Sequence, residues 1–369
     1  MQKISTFVYL LKNSPRQILP ILGEKIYRPI VKRRAFYGSI RRRIVWRYRF
    51  ELGERPNLRK PVKFTEKAQW RKLYCPNIIE MSKVVDKQKS YNYVKSIIDD
   101  EHLLPALKII SNEITASDIL ALGDEIVIQP THRSGQVYLI ESQSSIDQER
   151  IAEELNAVMR WPYTMRSCEP WYGRIERAAI VKKLIRNSDG SPYLNDFKVH
   201  VFAQPNGKAK LICEVINTYP SWRAFFDGDF HLLDFGWDFH GYPKPTHEVQ
   251  RPEGFEQMIE YATILAKPFD YARVDFMLGA KEFYFTEITF APAGGLPRIE
   301  PPEMDEIIGS WWHLDVGNPL KRAYWFARTW LPMWKTERPM RNIRRLYRYH
   351  REWNFGRNSL SDYHIRAKD

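Results

Sequence analysis

From Phe64 to Ile97 the apolar residues recur at largely helical intervals: Phe64, Ala68, Trp70 and Leu73, then Val84, Val85, Tyr93, Val94 and Ile97. A period of 3.6 puts such positions on one face, so this stretch predicts helices. Residues 103–110 are a short apolar run around Pro105 and predict a strand, after which Ser117-Asp118 offers a cap for a brief helix. EIVIQP and QVYLIES flank residues 131–135 as strand, tight loop, strand. Residues 145–160 return to helical spacing, with Ser145 or Asp147 as the cap, and a Pro/Trp/Tyr-rich link occupies 161–172.

Beyond that link the period drops to two. AAIVKKLI, the turn NSDGSP, DFKVHVFA, the turn QPNGK and AKLICEVI predict an antiparallel series. A loop region rich in aromatics and glycine, 221–242, precedes a helix over 254–266, and ARVDFML-GAKE-FYFTEITF closes as a hairpin. Helices mixed with antiparallel strands, without regular βαβ alternation, predict an α+β fold rather than a doubly wound sheet.

Composition limits the reading further. A chain of 369 residues with 44% hydrophobic content buries a large core and suggests two domains or one two-lobed body. Cys75, Cys168 and Cys213 are far apart and form no C-x-x-C pair, which fits a reducing compartment. No uncharged apolar run reaches the length of about 18 residues that a spanning helix needs, and the apolar start at Ile4 runs into charges; neither a transmembrane helix nor a signal peptide is expected.

Charge is unevenly spread. Residues 1–50 carry 13 Lys/Arg against one acid and 321–369 carry 13 against four, so of the net +13 the ends hold +12 and +9 and the body −8. Basic, aromatic-rich ends such as RRRIVWRYRF suit anionic lipid headgroups. An anionic membrane surface is the expected partner, ahead of a merely solvated face and of nucleic acid.

Three places offer chemistry. On the last hairpin Asp275 and Glu287 lie on adjacent strands, and Thr289 shares the Glu287 face. Either Arg273 neutralises these carboxylates as a hairpin ion pair, or they are hard oxygen ligands for Mg²⁺. The loop THRSG contains His132, Arg133, Ser134 and Gly135 and is either a hairpin turn or a phosphate cradle. In DFKVHVF the residues Asp196, Lys198 and His200 alternate onto one face, which is a solvated strand face unless a site lies there.

Taken in order, Asp86-Lys87 before YVK, VIQPTHRSG, AIVKKLI, NDFKVHVF with its NGK turn, and RVDF followed by FTEITFAPAGG resemble the TupA-like branch of the ATP-grasp superfamily, named for teichuronopeptide synthesis. The similarity covers roughly residues 60–315, and RVDF…TEITF…GG is its most specific part. It implies an ATP-grasp fold, two α+β lobes enclosing a nucleotide cleft. Residues 56–315 would be the body, 1–55 a basic aromatic-rich N-terminal extension and 316–369 a basic helical C-terminal one.

The same resemblance implies ATP and Mg²⁺ as cofactors. Lys198 matches the phosphate-contacting lysine and Lys87 an upstream basic position, while 132–135 would close over the phosphates. Asp275 and Glu287 match the metal carboxylates, Thr289 stands where many members have Asn, and Arg273 where an arginine steadies the acyl phosphate. Three positions depart from the family pattern: Gln129 replaces a phosphate-reaching lysine, Lys182 a glutamate facing adenine, and Arg133 a loop glycine.

The implied reaction joins an amino acid or other amine to a carboxylate, such as a uronic acid, of a glycan or lipid-linked glycan acceptor. A cytoplasmic enzyme, peripheral on the inner face of a bacterial membrane and serving capsule or lipopolysaccharide assembly, is the expectation. A glycosyltransferase on the same scaffold, kept open by Gln129 and Lys182, and a non-catalytic scaffold are the alternatives.

Overall fold

The period-two segments pair into two antiparallel sheets. The computed structural model describes residues 40–336 except 134–135, 161–162, 193, 219–220 and 239–241. Strands β1 (Lys108–Ile110), β2 (Ile126–Pro130), β3 (Tyr138–Ile140) and β4 (Ala179–Lys183) form a sheet in the order β1-β4-β2-β3. A larger sheet comprises β5 (Asn195–Ala203), β6 (Ala209–Asn217), β7 (Trp222–Phe226), β9 (Tyr271–Leu278) and β10 (Phe283–Thr289), in the order β10-β9-β5-β6-β7. A short β8 (Gly236–Asp238) pairs with β11 (Arg298–Glu300).

The helical segments become α1 (Ile40–Leu52), α2 (Phe64–Tyr74), α3 (Ile78–Val85), α4 (Lys89–Lys95), α5 (Ala116–Leu120) and α6 (Gln148–Arg160). After α7 (Thr164–Ser167) come α8 (Phe255–Ala266), α9 (Glu303–Trp311) and α10 (Pro319–Thr336). The α+β reading therefore holds.

Local chemistry explains where the elements start. Of the two expected caps of α6, Asp147 serves, its Oδ1 accepting the Arg150 N–H at 2.9 Å. In α5 the cap is Thr115 rather than Ser117-Asp118: Thr115 Oγ1 accepts from the Asp118 N–H and Asp118 Oδ2 from the Thr115 N–H, a reciprocal capping box. The strand expected over 103–110 narrows to its last three residues, because Pro105 has no N–H to give a ladder. The expected link after α6 contains α7 and a 3₁₀ turn, Pro170–Arg174, that buries Trp171 and Tyr172 in the core.

In the small sheet Ile126, Ile128, Tyr138 and Ile140 pack on Ile151, Ala152 and Leu155 of α6. The large sheet turns Phe197, Val199, Val201, Val274 and Phe276 toward Met258, Ala262 and Leu265 of α8. Its other face carries Asp196, Lys198 and His200 on β5 and Arg273 and Asp275 on β9, because side chains alternate. Further along, the same face turns aromatic: Phe202 and Tyr271 pack with Phe64, Phe225, Trp237 and Trp312. That cluster closes one end of the face and leaves the polar part toward the small lobe.

At the described ends of the chain, Ile40 and Ile44 of α1 and Trp330 and Met333 of α10 share a core cluster with Trp70 and Leu73 of α2. Pro332 inside α10 cannot donate to the carbonyl of Arg328. Arg174 Nη2 fills that vacancy at 2.8 Å, which lets the helix run on. Among the described residues no helix is long and apolar enough to cross a membrane.

Candidate active site

A β-bulge between Phe285 and Glu287 sets the register of the site. Before the bulge Phe285 pairs with Phe276; after it Glu287 pairs with Asp275 and Thr289 with Arg273. Without the extra residue Thr286 would oppose Asp275, and Glu287 would point to the apolar face. Lys198 lies opposite Asp275 on the next strand, and Glu214 opposite Lys198 on the one after. Glu287, Asp275, Lys198 and Glu214 thus form one row across four strands, with Thr289, Arg273 and His200 in the row beside it.

Charge is closely balanced within these rows. Arg273 grips Asp275 as a fork, Nε to Oδ1 at 2.7 Å and Nη2 to Oδ2 at 2.5 Å. Lys198 Nζ stands 2.9 Å from Asp196 and 3.5 Å from Asp275. Burial disfavours the Lys198 cation, but these two carboxylates outweigh it and raise its pKa to about 12. Arg273, though buried, is likewise held firmly protonated by Asp275 and Glu214.

Glu214 is the hub beneath. Arg223 Nε lies 3.0 Å from it, His200 Nε2 3.4 Å and Arg273 Nη1 4.0 Å. Burial alone would raise its pKa, yet the His200 hydrogen bond and the two arginines hold it well below the ordinary carboxylate range. His200 is kept neutral by burial in spite of Glu214. Its partners assign the tautomer: Tyr271 O–H donates to Nδ1 at 2.9 Å, leaving Nε2–H for Glu214. The solvated strand face considered for Asp196, Lys198 and His200 is therefore corrected, since His200 is fully buried and Lys198 nearly so.

Lys87, between α3 and α4, which pack into the core of the large sheet, links the site to the loop of the small sheet. Its Nζ donates to the Arg133 carbonyl at 2.9 Å and lies 3.4 Å from Glu287 Oε2. Lys182 pairs with Val127 on β2, and Val127 and Gln129 share a half-buried face of that strand. Burial and then Lys87 push the Lys182 pKa down to about 8, with Glu287 opposing. Arg133 is buried with its guanidinium 5.4 Å from the Tyr163 ring. His132 is only 2% exposed, and burial with Arg177 and Arg133 lowers its pKa to about 3, so in this conformation it offers no charge to a ligand. Ser134 and Gly135 lie outside the described residues.

The donor set fits Mg²⁺. Asp275 and Glu287 are neighbours on one face, and Thr289 Oγ1 is 3.4 Å from Glu287 Oε1. Each carboxylate oxygen has two acceptor sites, so the Arg273 fork leaves Asp275 capacity for a cation. Arg273, Lys198 and Lys87 already compensate the two carboxylates, which favours a metal arriving together with an anionic ligand.

Sequence reasoning missed Glu214 and a second group, Lys72, Gln69 and Glu169. The signal for Glu214 is a charge in the middle of the apolar run LICEVI. Lys72 Nζ donates to the carbonyls of Ser167 and Gly294, and Gln69 Nε2 to that of Gly295 at 2.7 Å. They hold a loop in which Ala293, Gly294 and Gly295 have φ of 50°, 65° and 65°. A Cβ at Gly295 would come within 2.6 Å of Ala68 Cβ, so α2 and this loop require glycine there. Burial lowers the Lys72 pKa to about 8 and raises that of its neighbour Glu169.

A family model described as TupA-like ATPgrasp matches residues 66–312. No curated protein matches the chain significantly. Among solved structures, the D-alanine–D-alanine ligase of Helicobacter pylori is similar at 13% identity and a TM-score of 0.33, over 67% of this chain and 61% of that one. The chain thus spans about three fifths of that enzyme's length. The D-alanine–D-alanine ligase of Bacillus anthracis is similar at 18% identity and a TM-score of 0.31, over 69% of each chain. The ATP-grasp ligase PsnB, complexed with minimal precursor, Mg and ADP, is similar at 12% identity and a TM-score of 0.34, over 82% of this chain and 74% of that one.

Proposed function

Because this chain belongs to the TupA-like ATP-grasp family, we propose that it is an ATP- and Mg²⁺-dependent ligase that joins an amine to a carboxylate of a cell-surface glycan or its precursor. The γ-phosphoryl group of ATP passes to the carboxylate, giving ADP and an acyl phosphate. The amine then attacks the carbonyl carbon, phosphate leaves, and an amide remains. A uronic acid is the proposed carboxylate and an amino acid the proposed amine.

One observation carries this reading: Lys87 meets Glu287 at the end of the row Glu287, Asp275, Lys198 and Glu214, and Lys182 of the small sheet stands near enough to interact with the same carboxylate. Lys87, Lys182, Lys198 and Arg133 supply positive charge for a polyphosphate, and Ser134 and Gly135 supply backbone N–H groups. Asp275, Glu287 and Thr289 would hold Mg²⁺, which when bound neutralises phosphate charge. Arg273 orients Asp275 through its fork and is a positioning residue in this arrangement. The protein contributes alignment and fixed charge rather than a covalent step of its own.

Gln129 retains hydrogen-bonding capacity but lacks the charge of a lysine. Gln129→Lys is expected to tighten ATP binding by about 1 to 2 kcal/mol, read by calorimetry. Unchanged or weaker binding would place Gln129 away from the phosphates.

Lys182 gives a pH dependence. With its pKa near 8, the cation is present at pH 7 and lost as pH rises through 8. ATP affinity should fall across that window, by up to about tenfold per unit, and the slope should vanish in Lys182→Met. An unchanged slope in the variant would assign the titration elsewhere.

The decisive experiment is calorimetry with Mg²⁺ against ATP, GTP and nucleotide sugars, followed by mass spectrometry of a uronic-acid acceptor incubated with mixed amino acids. ATP binding and a mass gain equal to an amino acid less water are expected. The replacements Gln129 and Lys182 favour a second reading, transfer from a nucleotide sugar. Binding of a nucleotide sugar but not ATP, with gain of a hexose, would establish that reading instead.

A further inference from the structure

Helix α10 is apolar on two opposite sides, and among the described residues only one of them is covered. Its inner side seats Trp330 and Met333 in the core cluster and anchors Trp330 Nε1 on the carbonyls of Lys72 and Leu73 at 3.2 Å. On the outside Leu320 is 81% exposed, Tyr324 61% and Leu331 55%. At 100° per residue these three fall within about 40° of one another, forming a single stripe along the helix. Large apolar side chains aligned in the open call for a partner.

The surrounding charge selects that partner. Over Pro319–Thr336 the sequence holds Lys321, Arg322, Arg328 and Lys335 and no acid. Lys321 and Arg328 sit beside the stripe by helical angle, Lys321 being exposed and 3.9 Å from the exposed Asp315. Residues 337–369 then add nine Lys/Arg against four acids. Helix α1, packed on the same cluster, exposes Arg41, Arg42 and Arg49. Protein interfaces are depleted of lysine around a packed apolar centre. A narrow stripe with an exposed tyrosine, cationic flanks and no acid is instead the make-up of a helix lying in a lipid headgroup layer.

We propose that the outer face of α10 docks the protein on an anionic lipid surface, the stripe entering the headgroup region and the flanking cations meeting lipid phosphates. Three side chains bury too little area for tight insertion, so charge and stripe act together and attachment is reversible by salt.

The test uses the full chain in co-sedimentation with phosphatidylcholine vesicles, with and without phosphatidylglycerol. Binding should be at least about tenfold stronger with the anionic lipid and should fall with salt. The triple variant Leu320→Ser, Tyr324→Ser, Leu331→Ser should lose about tenfold while melting like the parent, since all three side chains are exposed. Vesicle binding that is absent, equal for both lipids, or unchanged in the triple variant would overturn the proposal. So would self-association, or binding to duplex RNA, that the triple substitution abolishes while vesicle binding persists.

Discussion

Glu287→Gln is expected to lower ATP-dependent turnover by about a thousandfold or more while leaving the fold intact, and Asp275→Asn to do the same at some cost in stability. The two differ because of their surroundings. Glu287 is partly exposed and pairs with Lys87 at 3.4 Å, so losing its charge disturbs little of the core. Asp275 is buried and holds the Arg273 fork; with Asn there, Arg273 keeps only Glu214, 4.0 Å away. Both changes remove a carboxylate from the face where polyphosphate charge must be neutralised. ADP release and thermal melting, measured on each variant, separate the roles. A folded Glu287→Gln enzyme that keeps its activity would remove the metal-ligand role. An unfolded Asp275→Asn beside a fully active Glu287→Gln would leave only the hairpin ion pair.

Glu214→Gln should cost the fold about 3 to 5 kcal/mol, because it strips the charge from a buried hub, takes the carboxylate from Arg223 and leaves Arg273 to its Asp275 fork alone. Urea unfolding of variant and parent measures it. The folded pKa of Glu214 is depressed, so its contribution is complete above the ordinary value of 4.5 and fades as pH falls toward the depressed one. The difference between parent and variant should therefore shrink in acid. A loss below about 1 kcal/mol at neutral pH would show that solvent or the neighbouring residues already compensate the arginines.

Much of this protein is written in its periods. The 3.6-residue spacing from Phe64 marked α2 to α4, and the β-rich runs marked most strands of both sheets, because each segment must bury one face; the expected loop over 221–242 instead contains β7 and β8. Turn residues placed the hairpin between β9 and β10. The succession ending in RVDF and FTEITFAPAGG identified the family, since those residues are fixed by chemistry within one short stretch of chain.

Other features depend on where distant segments meet. Alternation counted along FYFTEIT cannot tell which of Thr286 and Glu287 faces Asp275; the bulge decides it, and a bulge is chosen by the packing of a whole sheet. His200 read as one of three polar residues on an open strand, yet Tyr271, Glu214 and the aromatic cluster around Trp237 enclose it. Lys87 lies 200 residues before Glu287 in the chain, and only the packing of α3 against the edge strand β10 of the large sheet brings them within 3.4 Å. The sequence by itself determined most of the helices and strands, the family and which residue types were on hand, because these follow from local period and local chemistry. The tertiary structure alone decided which charges stand together and which are buried, because a carboxylate's partners are set by strands and lobes that meet only when the chain is folded.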